Sequence, residues 1–205
     1  MPANYDNSKW FYDHLSGLVF GKTLIRAQTY LLDRIKPGSE ILIAGGGTGK
    51  ILEAITSIYP SGLKITYVEV ARKMMAASKK RNTGKNEVRF IHDAVENIQP
   101  AVKFDVIITP FLLDNFTEEN LQKIFNRLNQ LLAPQGLWIN TDFQITGKWW
   151  QKFLAGSMLL LFRIVCSIEA NKLPDIQNCF SRNSYRVIEQ QTFWGDFILT
   201  ASYQK

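Results

Sequence analysis

The fold of this chain is decided at Ile41-Leu42-Ile43-Ala44-Gly45-Gly46-Gly47-Thr48-Gly49. Four apolar residues typical of a buried strand lead directly into a glycine-rich turn, and a helical pattern at 49–58 follows. Glycines in such a turn let a ligand approach the backbone, while the first turn of the helix offers unpaired amide donors. The stretch therefore predicts a strand–loop–helix unit that binds a nucleotide or a related ligand.

The spacing of the glycines separates three classes of nucleotide-binding loop. A P-loop needs G-x-x-x-x-G-K-[ST], but Ala44 stands at its first glycine and Ile51 at the hydroxyl that ligates magnesium. A dinucleotide site needs G-x-G-x-x-G, and Lys50 stands where the third glycine allows close helix–strand packing. The loop offers G-x-G-x-G instead, beginning at Gly45, so both of those classes are disfavoured.

The G-x-G-x-G pattern of Gly45, Gly47 and Gly49 resembles the motif of class I S-adenosylmethionine-dependent methyltransferases. The resemblance extends over roughly residues 35–205. It implies that S-adenosylmethionine is the cofactor, with its methionine end and ribose at the loop and its adenine at the ends of later strands. The predicted cofactor-binding residues are Gly45, Gly46, Gly47, Thr48, Gly49, Glu69, Val70, Asp93, Ala94 and Thr109.

Two acidic residues in that set also have simpler interpretations. Glu69 lies 20 residues beyond Gly49, where a carboxylate can accept hydrogen bonds from both ribose hydroxyls, with Val70 packed on the adenine. It can equally cap a helix or face solvent at a strand end. Asp93, followed by the small Ala94, matches the family's position for the adenine amino group, whereas an ordinary loop aspartate caps a turn.

One position departs from the family pattern. These enzymes often carry an acidic residue two positions before the first glycine, and here that residue is Ile43. One polar anchor near the methionine end of the cofactor is therefore missing, and another group must replace it.

Strand candidates alternate with helical patterns from Glu40 onward, which predicts βαβ units. The predicted fold class is α/β: a Rossmann-like three-layer sandwich with a seven-stranded, mainly parallel sheet and an antiparallel terminal strand. Only Phe193–Asp196 joins the last two strands, which predicts a hairpin. The strands are predicted at 41–44, 64–70, 88–92, 104–109, 136–141, 185–192 and 197–203, and the helices at 49–58, 72–80, 117–132 and 149–168.

A length of 205 residues suits a single domain, predicted over 1–205. Within it we expect an N-terminal helical segment over 1–36 and the Rossmann-like core over 37–205. No stretch approaches the ~20 apolar residues that span a bilayer. No signal peptide is expected at the start of the chain.

The two cysteines and two histidines predict neither disulfides nor a metal site. Cys166 and Cys179 lie in no C-x-x-C or Cys/His cluster, and His14 and His92 are far apart in sequence. This usage fits a reducing cytoplasm. The net charge is +6, but the basic residues around the second helix have no aromatic residues interleaved among them. A solvated surface is therefore the default interpretation, and a nucleic-acid partner is unlikely on this pattern.

Acceptor-binding residues are expected in the N-terminal segment, after the fourth strand and in the helix after the fifth. The segment 11–21 is similar to the opening of the quinone-biosynthesis methyltransferases that act on ubiquinone and menaquinone precursors. In that comparison Tyr12 and His14 approach the acceptor, and His14 is the candidate base; alternatively His14 borders a core-facing stripe. The predicted acceptor-side residues are Tyr12, His14, Phe111, Asp114 and Trp149.

The function predicted is methyl transfer from S-adenosylmethionine to a small, apolar or aromatic acceptor. Enzymes that methylate amino groups in nucleic acids typically carry an N/D-P-P-Y signature after the fourth strand. That signature is absent here, where the sequence is Thr109-Pro110-Phe111. The alternatives are an RNA-directed methyltransferase, suggested by the charge, and a non-catalytic S-adenosylmethionine-binding module. The apolar helix 149–168 lines an acceptor pocket or rests on a membrane surface; alternatively it is buried in the ordinary way or joins two copies. Both a monomer and a homodimer therefore remain open.

Overall fold

The computed structural model describes residues 20–99, 102–166 and 172–205, without the side chains of residues 162 and 164–166. Its strands are β1 (Glu40–Ala44), β2 (Ser61–Val68), β3 (Lys85–Ile91), β4 (Phe104–Pro110), β5 (Leu132–Phe143), β6 (Arg186–Phe193) and β7 (Ile198–Gln204). Its α-helices are α1 (Thr23–Thr29), α2 (Lys50–Ile58), α3 (Arg72–Ser78), α4 (Glu118–Leu131), α5 (Trp149–Cys166) and α6 (Ile176–Arg182). Three short 3₁₀ turns lie at Leu32–Arg34, Val95–Asn97 and Leu113–Asn115.

The seven strands form one sheet in the order β3-β2-β1-β4-β5-β7-β6. The first five are parallel, and β7 runs antiparallel to both β5 and β6. Because the strand order reverses between β1 and β4, the carboxyl ends of these two strands open a crevice at the switch point. The predicted fold class and the terminal hairpin are confirmed.

Strand β1 shows why both faces of the sheet are covered by helices. Leu42 and Ala44 point into a core shared with α4 and α6, while Ile41 and Ile43 point into a second core shared with α2. All four side chains are fully buried. A strand buried on both faces reads as a continuous apolar run, which is how the sequence presents it.

Helix α4 begins where the sequence predicts it. The Thr117 side chain accepts a hydrogen bond from the Asn120 backbone N–H at 3.3 Å, and Glu118 and Glu119 occupy the first turn. The helix buries an apolar stripe against the sheet that includes Leu121, Phe125 and Leu128. The N-cap, the acidic first turn and the apolar stripe all indicate the same helix. The local sequence is therefore sufficient to predict this element.

Two features of the fold differ from the prediction. Strand β5 begins at Leu132, four residues before the predicted start, because Leu132 pairs with Phe104 before the register shifts at Val106. Helix α6 was not predicted. Its seven residues are too few for a clear helical period, but Asp175 caps it by accepting from the Asn178 N–H at 3.0 Å.

Candidate functional site

The glycine loop between β1 and α2 is held in place by its own backbone. The Gly45 N–H donates to the Val68 carbonyl at 2.9 Å, which ties the loop to the end of β2. Gly45, Gly47 and Gly49 all have positive φ, and Gly49 is the N-cap of α2. An alanine Cβ at Gly49 would lie 2.8 Å from Ser78. The three glycines of the motif are therefore required by the path of the chain.

Tyr67 forms the floor of this loop and was not identified from the sequence. Its ring is fully buried, and its hydroxyl donates to the Gly47 carbonyl at 2.9 Å. Burial raises the pKa of Tyr67, so the hydroxyl stays protonated and remains a donor. A Cβ on Gly46 would overlap the Tyr67 ring. Gly46 is thus fixed by packing, although the G-x-G-x-G pattern leaves that position open.

Glu69 joins the loop to the next helix. It follows β2 directly and is only 6% exposed. Its Oε2 accepts from the Gly47 N–H at 2.9 Å, and its Oε1 accepts from the Ala71 N–H at 2.8 Å. Burial raises the pKa of Glu69, and these backbone hydrogen bonds oppose the rise. Each carboxylate oxygen can accept a further hydrogen bond, so bracing the loop and binding hydroxyls are compatible roles.

Arg81 braces the other side of the loop. Its Nε donates to the Thr48 carbonyl at 2.9 Å, and its guanidinium lies 3.3 Å from a Glu53 carboxylate oxygen. By contrast, a Cβ on Gly47 would meet nothing closer than Met74 Sδ at 3.9 Å. The loop is therefore supported from behind and leaves open space in front of Gly47, which fits a ligand lying against the backbone.

The predicted adenine contacts lie at the ends of β2 and β3. Val70 is 45% exposed, and the His92 ring nitrogen Nε2 lies 2.9 Å from the Val70 carbonyl. Asp93 Oδ1 accepts from the Ala94 N–H at 2.7 Å and from Asn97 Nδ2 at 2.8 Å. These hydrogen bonds lower the pKa of Asp93. Asp93 therefore hydrogen-bonds within the turn that leads into Val95–Asn97, and its contact with the adenine stays a prediction.

Thr109 lies in the interior rather than at the crevice. Its side chain is fully buried, and its hydroxyl donates to Asn140 Oδ1 at 2.7 Å while accepting from Trp138 Nε1 at 3.0 Å. The hydroxyl thus serves the packing between β4 and β5. This corrects the prediction that Thr109 contacts the cofactor, and we leave it out of the proposed site. Ile43 is also fully buried, so this strand position supplies no polar anchor.

The chain after β4 connects the loop to the acceptor side. A Cβ at Gly45 would lie 2.9 Å from Leu112 Cδ1, so Leu112 packs against the glycine loop. The preceding Phe111, at φ +51°, has its ring 5.2 Å from that of Phe143. Phe111 therefore packs against a hydrophobic cluster that contains several aromatic side chains, and its contact with the acceptor stays a prediction.

The other predicted acceptor residues fall in three different surroundings. Trp149 is 81% exposed at the start of α5, away from the buried cluster. Tyr12 and His14 lie outside the described residues. Asp114 is 8% exposed and lies beside a carboxylate that sequence analysis missed, that of Asp142. Asp142 lies one residue beyond the predicted end of β5. The only feature of the sequence that could have pointed to it is that an acidic residue follows an apolar strand.

Burial dominates the ionisation of this carboxylate pair. It raises the pKa of Asp114 from 3.8 to about 6. Burial and the neighbouring Asp114 carboxyl together raise the pKa of Asp142 well above its ordinary value. Two carboxylates that share a buried space do not both ionise, so the pair retains one proton near neutral pH.

Replacing Asp142 by asparagine is expected to stabilise the free protein as the pH rises. The raised pKa values mean that the folded state holds a proton which the unfolded chain has lost, so wild-type stability declines from about pH 4 upward. Asp142→Asn removes that decline. We expect no difference from wild type at pH 4 and a gain of about 1–3 kcal/mol at pH 7.5. Urea unfolding at both pH values measures it, with the exposed Asp105→Asn as control. A constant difference across the pH range would contradict this account.

Comparison with known proteins identifies the kind of domain that carries the glycine loop. Residues 41–136 match the family model described as a methyltransferase domain. This match supports a class I methyltransferase domain over these residues, with S-adenosylmethionine as its cofactor. The match begins at β1 and includes the glycine loop, Glu69 and Asp93.

Individual relatives are distant. A malonyl-[acyl-carrier protein] O-methyltransferase 2 of Ilyobacter polytropus is 28% identical over 103 residues, which are 50% of this chain and only 39% of that protein. Magnesium protoporphyrin IX methyltransferase of Synechocystis PCC 6803, solved with bound SAH, has a TM-score of 0.70 at 15% identity, covering 98% of this chain and 96% of that one. The 1,6-didemethyltoxoflavin-N1-methyltransferase of Burkholderia thailandensis has a TM-score of 0.64 at 14% identity, covering 97% and 88%. At these identities the structures establish a shared fold.

The described part of the chain contains neither a metal-binding cluster nor a membrane-spanning helix. Within residues 20–99, 102–166 and 172–205, no three His, Cys, Asp or Glu side chains are grouped so as to hold a metal ion. No helix among these residues has the length and apolar character needed to cross a bilayer.

Proposed function

We propose that this protein transfers a methyl group from S-adenosylmethionine to a small, apolar or aromatic acceptor. The observation that carries the proposal is the course of the chain after β4. Leu112 packs against Gly45 of the cofactor loop, and the adjacent Phe111 packs against Phe143. An acceptor that lies on this aromatic surface is therefore next to the cofactor. Several structural neighbours are named for small-molecule acceptors, which supports the same conclusion.

The proposed cofactor site is built on the glycine loop. Gly45–Gly49 hold the methionine end and ribose, and Glu69 accepts hydrogen bonds from the ribose hydroxyls. Val70 offers exposed apolar surface to the adenine. Asp93 and Ala94 border it at the end of β3, where the ordered Asp93 carboxylate lies. The polar anchor missing at Ile43 must come from another group, because the N–H and the carbonyl of Gly47 are already bonded to Glu69 and Tyr67.

The chain contributes orientation and exclusion of water. Bound S-adenosylmethionine supplies an activated methyl group on a sulfonium centre. The braced loop fixes the position of that centre, because Tyr67, Glu69 and Arg81 hold its backbone from three sides. Phe111, which is partly exposed, offers apolar surface for the acceptor, and the buried Phe143 packs against it. A preorganised pair of binding surfaces lowers the entropic cost of bringing the two reactants together.

Calorimetry with four ligands tests the cofactor assignment. S-adenosylmethionine and S-adenosylhomocysteine are expected to bind, while NAD and ATP are not, because the loop lacks the third dinucleotide glycine and the P-loop hydroxyl. Binding of neither sulfur ligand would refute the proposed site. Binding to RNA that weakens steeply with salt would favour the RNA-directed alternative instead.

The remaining proposals concern the whole chain. We propose one domain over 1–205, with the helical segment 1–36 completing it, and a cytoplasmic location, which the free and buried thiol of Cys179 supports.

Helix α5 exposes Trp149, Phe153 and Leu160 on one stripe. That stripe is the proposed contact for a second copy or a membrane surface. Sedimentation of the purified protein, alone and with vesicles, distinguishes monomer, dimer and membrane-bound forms.

A further inference from the structure

Helix α5 is attached to the rest of the protein along one face. Gln151, Ala155 and Leu159 are buried, and their spacing of four residues places them in one row of the helix. The start of the helix is also fixed, because the Gln151 side chain accepts from the Thr146 N–H at 2.7 Å and donates to the Gly195 carbonyl at 3.1 Å. The opposite face of α5 is therefore held toward solvent in a defined orientation.

The solvent-facing side of α5 carries an apolar stripe. Trp149 is 81% exposed, Phe153 75% and Leu160 59%, which are the three highest values among the large apolar side chains of the described residues. The 11 residues from Trp149 to Leu160 make about three helical turns, so these side chains lie in line along the helix. Contiguous exposed apolar surface of this kind marks a contact site.

A row of cations runs beside the apolar stripe. Lys152 and Arg163 are both exposed, and a spacing of 11 residues aligns them with each other. Each cation comes three residues after an apolar member of the stripe, so the two rows lie about 60° apart around the helix. The sequence has no Asp or Glu over residues 143–168. Asp196, which lies near the start of α5, is already paired with Lys148 at 2.8 Å.

A second copy of the chain does not suit this face of α5. Three side chains of this size offer roughly 500 Å², below the ~800 Å² that each partner contributes to a typical stable interface. A symmetric dimer would also bring the two cationic rows together, because α5 carries no carboxylate that could pair with them. An anionic lipid surface avoids both problems, since its acyl chains receive apolar side chains and its headgroups carry the complementary charge.

We propose that α5 lies along the surface of an anionic membrane, with Trp149, Phe153 and Leu160 among the acyl chains and with Lys152 and Arg163 at the headgroups. Helices that bind in the plane of a membrane interface combine an apolar side with basic residues in this way. Tryptophan favours the same boundary, because its ring is apolar and its N–H is polar. The lipid contact rests on α5 alone and does not depend on the proposed function.

The inner side of α5 gives this contact a role in the proposed reaction. Trp150, Leu154 and Met158 pack against the same hydrophobic cluster as Phe111, and Phe111 precedes the residue that contacts the glycine loop. One helix, ~10 Å across, therefore separates the lipid-facing stripe from the proposed acceptor surface. A membrane concentrates an apolar acceptor beside that surface. This role, unlike the contact itself, rests on the proposed function.

Vesicle flotation of the protein without cofactor tests the lipid contact. The vesicles contain either phosphatidylcholine alone or an equal mixture of phosphatidylcholine and phosphatidylglycerol. We expect at least about tenfold stronger binding to the mixed vesicles in about 0.1 M salt, and a steep loss in about 1 M salt, where the Debye length falls from about 10 Å to about 3 Å.

Two double variants separate the apolar and the electrostatic contributions. Trp149→Ser with Phe153→Ser should lower binding to the mixed vesicles at least about tenfold, because it removes the two largest side chains of the stripe. Lys152→Gln with Arg163→Gln should lower it about tenfold and bring the two kinds of vesicle close to equal.

Each double variant has a matched control elsewhere on the sheet. Val187→Ser with Ile188→Ser removes two exposed apolar side chains from β6. Lys85→Gln with Arg89→Gln removes two exposed cations from β3, at the other edge of the sheet, and changes the net charge by the same amount. Both controls should bind the mixed vesicles as the wild type does.

Several outcomes overturn the inference. They are absence of binding to the mixed vesicles, binding that the α5 variants leave unchanged, and an equal loss in the control variants. A wild-type dimer that Trp149→Ser with Phe153→Ser dissociates, in a protein that does not bind vesicles, assigns the stripe to a second copy instead. Failure to bind S-adenosylhomocysteine in calorimetry refutes the proposed cofactor site and leaves the vesicle result intact, so the two failures are distinguishable.

Discussion

Replacing Gly46 by alanine is expected to cost about 3 kcal/mol of folding free energy and to abolish measurable binding of S-adenosylhomocysteine. The added methyl group would overlap the ring of Tyr67. That ring is fully buried and tied through its hydroxyl to Gly47, so it has no space to move into. The loop must shift instead, and overpacking of this kind typically costs about 1–3 kcal/mol and occasionally more.

The matched control is Gly156→Ala. Gly156 lies within α5, and a Cβ there would meet nothing within 4 Å. This substitution should stabilise the protein by roughly 0.5–1 kcal/mol, the ordinary advantage of alanine in a helix. Urea unfolding and calorimetry measure both variants. A double variant that adds Tyr67→Leu to Gly46→Ala should recover part of the loss, because the smaller side chain makes room for the methyl group. If the Gly46→Ala protein binds S-adenosylhomocysteine normally, the loop is not held against Tyr67.

Replacing Glu69 by alanine is expected to have the second largest effect, on stability and cofactor binding together. The buried N–H of Ala71 and the partly buried N–H of Gly47 would lose their acceptor. The first loss costs about 1–3 kcal/mol and the second, which water partly compensates, about 1 kcal/mol, so we expect roughly 2–4 kcal/mol less stability. Affinity for S-adenosylhomocysteine should fall by about 1–3 kcal/mol, or roughly 5–150-fold, because the ribose hydroxyls lose their partner as well.

Two further variants separate these contributions. Glu69→Gln keeps one acceptor oxygen, so it should lie between wild type and Glu69→Ala in both measurements. Glu119→Ala removes an exposed glutamate that pairs with Lys123 at 2.7 Å on the surface of α4. It should leave both stability and affinity close to those of the wild type, because solvent screens an exposed ion pair. If the Glu69→Ala protein is destabilised but binds the cofactor product as tightly as wild type, Glu69 serves only to brace the loop.

Local sequence predicted the elements that depend on near neighbours. The seven strands were predicted in order, most clearly the central strands β1 and β4, because parallel strands that are buried on both faces are continuous apolar runs. Helix α4 was predicted because its cap, charges and apolar stripe agree. The seven-residue helix α6 was missed, since two turns show no periodicity that outweighs the polar residues around them. Most of the helix and strand bounds agree within three residues, and β5 differs because the register shift that starts it early is a property of its pairing with β4.

The sequence by itself indicated the fold class, through the alternation of strand and helix patterns, and the kind of cofactor, through a glycine loop that resembles that of class I methyltransferases and departs from the P-loop and dinucleotide patterns. Tertiary structure alone decided which polar side chains face the crevice. Thr109 was expected there and is instead buried between Trp138 and Asn140, while Asp142 was overlooked and lies beside Asp114. Side chains alternate along a strand, so the face that a residue occupies depends on strand register. That register is set by pairing between segments distant in the chain, which no local pattern encodes.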